Sequence, residues 1–383
     1  MTHYVGIDVA KQKHDIALID DNGKLLESFQ ISNNQEGFYR LFSFLGEHNS
    51  DLKIALEATG HYSHNITKFL RDKHYQVWTY NPLLINEFAK SQSLRKTKTD
   101  KKDAQTIAQK LRLDNPNEAI AWDDFAFELR TLTRHRERLT KSRSNYKVQL
   151  VKVLDLTFPE LAKVIGKANL NSQAIYELLD KYPSAKAVAR AHDKSLLNIP
   201  YLKTDKAFAI KQAAKISIGT TSVALSFELK QIISELKHTS HLITECDKEI
   251  KAIMSEFNSP ILSIPGIGDV TGAAIIGEIS SIDNFQNHNQ LLAFAGLEPS
   301  IYQSGQATNN GRMVKRGSSH LRRAVILSSR IISMHSPTMK AYLKKKLGEG
   351  KHFNVAITHV AKKLIRVIFS VLKNDKPYQE PNC

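Results

Sequence analysis

The sequence predicts an α/β domain followed by an all-α remainder, and three patterns say so. Residues 1–120 open on short β-branched and aromatic runs divided by polar turns, then alternate strand and helix patterns. Residues 121–258 carry two long apolar seams at steps of three and four, the spacing of long helices packed along one stripe. Residues 259–383 return to shorter helical stretches around a glycine- and arginine-rich segment. At 383 residues the chain has room for these three domains, each burying its own core.

Tyr4, Val5, Ile7 and Val9 form the first strand and Ile16 to Ile19 the second, joined by polar Lys11 to His14. Leu25 to Ile31 is a third strand, after the turn residues Asp21, Asn22 and Gly23. Asn34 to Leu45 reads as an amphipathic helix with Phe38, Leu41, Phe42 and Leu45 on one face. Lys53 to Leu56 is a strand that delivers Glu57 at its end, and a helix from about Ser63 to His74 leads to a last strand, Val77 to Tyr80. Three strands in series, then strand and helix in alternation, suit a mixed sheet covered by helices, as in a ribonuclease-H-like fold.

Asp8 interrupts the first apolar strand, where an unpaired buried charge costs several kcal/mol, on the order of other unpaired ions. It is either a turn cap after the strand or a ligand to a bound cation. Downstream, LRKTKTDKKDA from Leu94 to Ala104 places Asp100 and Asp103 three residues apart, so a helix starting near Thr99 turns both toward one side. Alone, that is also how a solvated helix start looks, since acids favour the positive end of the dipole. Set beside Asp8 and Glu57 at strand ends, the four carboxylates are the hard oxygen ligands that two Mg²⁺ ions take, roughly 4 Å apart, to activate a nucleophile and stabilise a leaving oxygen at phosphorus.

Lys and Arg number 54 against 38 Asp and Glu, a net charge of +16, which suits DNA or RNA as partner. Apolar runs fall short of a membrane span and the first residues lack a signal-peptide pattern, so a cytoplasmic protein without membrane contact is expected. The two cysteines, Cys246 and Cys383, fit a reducing compartment and leave no Cys-based zinc site.

From Phe125 to Val153 a basic helix carries the seam Leu129, Leu132, Arg136, Leu139, Arg143, Tyr146, Leu150 and Val153, with arginine at two core positions. Its excess of basic residues, Arg134, Arg138 and Lys141 among them, is expected to track a phosphate backbone. The second seam runs from Leu229 to Phe257. The two helices belong to one bundle, or the second pairs with its copy as an intermolecular coiled coil and makes a dimer or tetramer; periodicity leaves both open. Glu160 to Gly219 reads as short helices broken at Pro183 and Pro200. Pro265-Gly266-Ile267-Gly268, between apolar stretches, has the look of a helix-hairpin-helix, whose Gly266 and Gly268 would offer backbone N–H groups to phosphate; an ordinary tight turn is the other reading. Ser304 then precedes Gly305 in a turn-rich stretch, with Arg312, Lys315, Arg316, Arg322 and Arg323 following as candidate phosphate ligands. Such a serine is ordinarily a turn residue, and without a His-Asp pair an acyl-transfer hydrolase is a poor fit. Ala356 to Leu372 is a closing helix.

Together GIDVAKQKHDIAL, EATGHYS, KTDKKDA, the Pro-Gly-Ile-Gly turn, AGLEPSIYQSG and VKRGSSHLRRA resemble, in order and over nearly the whole chain, the DEDD insertion-sequence transposases. This is the family numbered one-ten, with its one-one-one-one subgroup and the related Piv-type DNA invertases. The resemblance implies a RuvC-like first domain with Asp8, Glu57, Asp100 and Asp103 as the metal-binding quartet. It also implies a C-terminal transposase domain whose serine, here Ser304, forms a covalent link to DNA, and a structured non-coding guide RNA from the element's own end. The chain departs from the family at Ser318, where Asn more usually follows Lys-Arg-Gly, so hydrogen bonding there is expected to differ. The function that follows is a Mg²⁺-dependent DNA transposase or recombinase that mobilises its own insertion sequence. Its alternatives are a site-specific invertase, a metal-dependent junction resolvase in which water attacks, and a nucleic-acid-binding scaffold. With Ser304 some two hundred residues beyond Asp103, a homo-oligomer in which one subunit's serine meets another's carboxylates is expected.

Overall fold

The computed structural model describes residues 2–48, 51–58, 60–92, 100–114, 124–304 and 307–380; the side chains of 100, 101 and 301–312 are outside that description, as is the basic stretch 93–99. The chain folds as two compact units, Met1–Trp122 and Asp123–Cys383. Among the described residues no helix is long and apolar enough to cross a membrane.

The first unit is built on five strands, β1 (His3–Val9), β2 (Lys13–Ile19), β3 (Leu25–Ser32), β4 (Leu52–Glu57) and β5 (Val77–Tyr80), in the order β3-β2-β1-β4-β5. β1, β2 and β3 are an antiparallel meander, whereas β4 and β5 run parallel to β1. This is the mixed sheet expected from the sequence. Helix α1 (Gln35–Glu47) joins β3 to β4 and α2 (Tyr62–Asp72) joins β4 to β5. Asn34 starts α1 by accepting a hydrogen bond from the Gly37 amide at 2.9 Å.

Alternation along the strands sorts the two faces. Val5, Ile7, Ile16, Leu18, Ile54, Leu56 and Val77 pack with Leu41 and Leu45 of α1 and Ile66 and Leu70 of α2. Tyr4, Ile19, Ala55 and Trp78 face the other way, toward α3 (Pro82–Gln92) and α4 (Asp100–Asp114), which supply Ile85, Ile107, Ala108 and Leu111. Gly6 is required because α4 lies directly on it: a Cβ there would stand 2.0 Å from the Ala104 carbonyl and 2.5 Å from the Ala108 amide. At its other end α4 is tied to the β2–β3 turn, Gln109 donating to the Gly23 carbonyl at 2.6 Å and Arg112 to that of Asp21 at 3.2 Å. Because that turn lies beside Tyr4, which pairs with Ile19, α4 runs antiparallel to β1. Its first turn therefore sits at the carboxyl end of β1.

The second unit is helical around two long elements, α5 (Asp124–Thr157), followed by the short helices α6 (Leu161–Ile165), α7 (Gln173–Lys181), α8 (Ala185–Arg190), α9 (Asp193–Leu197) and α10 (Thr204–Lys215), then α11 (Val223–Phe257). The remainder comprises α12 (Asp269–Ile279), α13 (His288–Phe294), a hairpin of β6 (Pro299–Ser304) and β7 (Ala307–Met313), and α14 (Ser319–His335), α15 (Pro337–Gly348) and α16 (Phe353–Asn374). α5 and α11 run antiparallel: Leu150 and Leu229 share one hydrophobic cluster with α6 to α10, while Leu129 and Ile250 share another with α12, α13, α14 and α16. The seam from Leu229 to Ile250 is thus spent inside the chain, with Leu229, Ile232, Leu236, Thr239, Ile243 and Ile250 all buried. Within the chain the bundle account is the one seen, with the seam from Leu229 to Ile250 covered by α5 and its neighbours. Arg136, an arginine in an apolar seam, is explained by a bidentate pair with Asp247 of α11. The stretch before the Pro-Gly-Ile-Gly turn is also not an α-helix but a single 3-10 turn, Pro260–Ser263. Gly266 is there for packing, at φ +89° and with the Ile332 amide 2.9 Å from where a Cβ would stand, whereas Gly268 borders open space.

Candidate active site

One end of the sheet gathers acids on a single face. Asp8 alternates with Tyr4 and Gly6 and so turns to the side that carries α4. Ile7 pairs in parallel register with Leu56, which makes Asp8 and Glu57 the next residues along neighbouring strands. Glu57 alternates with Ala55 and shares that face. The first turn of α4, bearing Asp100 and Asp103, starts at this same end. Asp8, Glu57 and Asp103 are each half-buried. Among the described residues no group of three or more His, Cys, Asp or Glu side chains is gathered closely enough to hold a metal ion, and the Asp100 side chain lies outside the description. What the fold provides is backbone placement, with four hard oxygen donors on two adjacent strand ends and the helix turn packed against them, a set that fits Mg²⁺ or Mn²⁺ rather than a soft metal.

A fifth carboxylate escaped the sequence reading. Asp15 of β2 is the direct antiparallel partner of Asp8, and its own partner on β3 is Gln30. Directly opposed residues share a face, with Cβ atoms about 4.5–5.5 Å apart. Asp15 is 4% exposed and accepts hydrogen bonds from the Gln30 amide at 3.1 and 3.0 Å. The signal was available, since Asp15 precedes the apolar run Ile16–Ile19 just as Asp8 interrupts its own, but only the hairpin register sets one against the other.

In the second unit Ser304 ends β6 at the tip of the hairpin, opposite Ala307. Its side chain, like that of Arg312, lies outside the described residues. Lys315 and Arg316 follow the hairpin and are exposed. Lys315 is in the left-handed region at φ +55°. Arg322 donates to the Ala295 carbonyl at 3.0 Å, and Arg323 pairs with Glu137 of α5 at 3.5 Å, so both already serve the fold.

The same holds for Arg134. It grips Glu278 of α12 through two hydrogen bonds of 2.7 and 3.0 Å, and Ser318 Oγ donates to the same carboxylate at 2.7 Å. Burial would raise the Glu278 carboxyl, but Arg134 and Ser318, with the charge of nearby Arg130, overcome it and hold the group below its ordinary range. Arg130 donates to the Gly277 carbonyl at 2.6 Å, and burial lowers its own pKa. His320 completes the network on Glu137 at 2.6 Å. Ser318, the position that departs from the family pattern, thus joins α14 to α12 and also caps α14 by accepting from the Leu321 amide at 3.0 Å. On α5 the exposed lysines and arginines are Arg138, Lys141 and Lys152.

A transposase model of the DEDD, IS110 type matches residues 5–159, and the model described as "Transposase IS116/IS110/IS902 family" matches 258–344. The pilin gene-inverting protein of Moraxella lacunata is 25% identical over 98% of this chain and 98% of its own. A 44.8 kDa protein of insertion element IS116 from Streptomyces clavuligerus is 25% identical over 97% and 95%, and the transposase for insertion sequence element IS1111A from Coxiella burnetii is 23% identical over 98% and 91%. T. thermophilus RuvC, solved in complex with a Holliday junction substrate, superposes on 28% of this chain and 90% of its own at 12% identity and a TM-score of 0.22, a likeness too slight to argue from. With both family models matched in order and full-length relatives on either side of the transposase and inversion functions, this chain belongs to the IS110/IS116/IS902 family of transposases, enzymes that cut and rejoin DNA.

Proposed function

We propose that the chain mobilises its own insertion sequence by transesterification at DNA phosphates, with Ser304 as nucleophile and Asp8, Glu57, Asp100 and Asp103 as ligands for Mg²⁺, two ions in the full site. What supports this is the backbone position of the four acidic residues, two at adjacent strand ends and two in the first turn of α4, in a transposase chain with a net charge of +16. Bound there, divalent cations supply Lewis-acid stabilisation of charge developing on phosphate oxygens. The Ser304 hydroxyl loses its proton as its oxygen attacks phosphorus; a serine–phosphorus ester forms as the bond to the leaving deoxyribose oxygen breaks, and that oxygen takes up a proton. A second deoxyribose hydroxyl reverses the exchange and frees the serine. The number of phosphoester bonds is conserved at each step, so rejoining needs no external energy source.

Exposed Arg138, Lys141, Lys315 and Arg316, with Arg312, are the residues through which the basic chain would hold DNA and a structured guide RNA encoded by the element. Assembly as a homo-oligomer would bring both DNA partners to the same complex. The full-length likeness to a pilin gene-inverting protein favours a second reading, inversion of a flanked segment, performed by the same residues. Trapping with a DNA substrate and gel analysis under denaturing conditions tests the chemistry. The wild type should give a covalent protein–DNA adduct and Ser304→Ala none; an adduct that persists in Ser304→Ala removes that serine from the mechanism.

A further inference from the structure

The row Gln30, Asp15, Asp8 crosses three adjacent strands at one height, each residue the direct partner of the next. It continues to Glu57 on β4 and Tyr80 on β5, which pair with each other. We propose that Asp15 is a fifth carboxylate of the cation site, a positioning residue that acts through Asp8 and is itself oriented by Gln30. This rests on the reading of the acid row as a cation site.

Three features support it. First, register alone puts Asp15 and Asp8 side by side on the face that carries α4, close enough for the charge of one to act on the other. Second, Asp15 is as buried as Glu278, at 4% exposure each, yet its hydrogen-bond partner is a neutral amide where Glu278 has a guanidinium. An amide satisfies lone pairs without cancelling charge, so the buried carboxylate stays electrostatically costly until a cation is near. Third, both Asp15 oxygens are held by one Gln30 nitrogen, which fixes the plane of the carboxylate beside Asp8. A carboxylate so placed accepts hydrogen bonds from the water shell of an ion bound at Asp8 and adds negative charge behind the ligands, the work of an outer partner in a metal site.

The experiment uses full-length protein and Mn²⁺ as probe, with affinity from calorimetry and the coordination signature from Mn²⁺ electron paramagnetic resonance. Asp15→Asn should weaken Mn²⁺ binding by about 10- to 100-fold, the usual cost of losing an outer partner, and alter the resonance spectrum of the ion still bound. Gln30→Leu, a change at an exposed position of the outer strand, should move both in the same direction by less. Asp8→Asn should abolish binding. Wild-type Mn²⁺ affinity in Asp15→Asn alongside loss in Asp8→Asn would overturn the proposal and leave Asp15 a strand tie, with the cation site intact. Wild-type affinity in Asp8→Asn as well would sink the cation site itself. Should Asp15→Asn fail to fold, Gln30→Leu decides: unchanged affinity and spectrum in that variant overturn the proposal.

Discussion

Asp15 and Glu278 are equally buried carboxylates in one chain, and the protein treats them in opposite ways. Glu278 is neutralised from within, by a bidentate arginine, a serine hydroxyl and a second arginine nearby. Its charge is used up in fastening α12 to α5 and α14. Asp15 is given hydrogen bonds but, among the described residues, no charge partner, in a row with Asp8 and its neighbour Glu57. The difference is between a charge spent on fastening helices and one that, on the proposal above, acts on a bound cation. The same distinction divides the basic residues, because Arg134, Arg136 and Arg322 are committed internally while Arg138 and Lys141 face solvent.

The largest expected effect is on chemistry. Asp8→Asn or Asp103→Asn should lower strand cleavage by about 10³-fold or more, since several kcal/mol of charge stabilisation is at stake and each 1.4 kcal/mol is about tenfold. Unfolding in urea should be unchanged. Cleavage at the normal rate by either variant, or by the wild type in excess chelator, would break the functional half of the comparison.

Glu278→Ala or Arg134→Ala should instead cost stability, about 3 kcal/mol in urea titrations, less than for a fully enclosed pair because the Arg134 side chain is 40% exposed and solvent screens it. The pH dependence has a definite sign. The Glu278 carboxyl lies below its unfolded value of 4.5, so the network's contribution is fully present above that pH and is lost as pH falls through the lower, folded value. In Glu278→Gln the acid limb of the stability curve should flatten. An unchanged acid limb would mean that Glu278 is not the locked charge described here.

The smallest effect is on binding of nucleic acid. Replacing Arg138 and Lys141 with Gln should reduce the log–log salt slope by about one unit for each phosphate no longer neutralised. Arg134→Gln should leave the slope alone and lower the unfolding midpoint. A slope that responds to Arg134 and not to the other two would reverse the assignment of committed and available charges.

Much of the first unit was legible because its signals are local. Alternating apolar residues announced β1, β2 and β4, and the placement of Asp8 and Glu57 at strand ends needed only those strands. The helix that brings Asp100 and Asp103 was readable from their spacing, but its seat on Gly6 was not, since that depends on a backbone approach about a hundred residues distant in sequence. Asp15 was missed for a related reason: hairpin register, not composition, sets it against Asp8. Arg134 was read as a phosphate ligand because its partner lies 144 residues away on another helix. α3 went unread, its single buried residue Ile85 giving almost no periodic stripe, and the β6–β7 hairpin hid in a polar run that reads as turns. The seam of α11 was seen correctly as apolar, but a seam does not say which helix covers it, and α5 of the same chain does.

If the acid row of the sheet binds a cation, as proposed, and Glu278 does not, thermal unfolding with and without Mg²⁺ measures both at once. A ligand that binds only the folded state raises the transition by an amount set by its affinity and concentration. The wild type should gain stability on adding Mg²⁺. Glu278→Gln should unfold at lower temperature yet keep that gain in full, and Asp8→Asn should unfold near the wild-type temperature without metal and show no gain. A Mg²⁺-dependent rise of wild-type size in Asp8→Asn, or its loss in Glu278→Gln, would contradict the account.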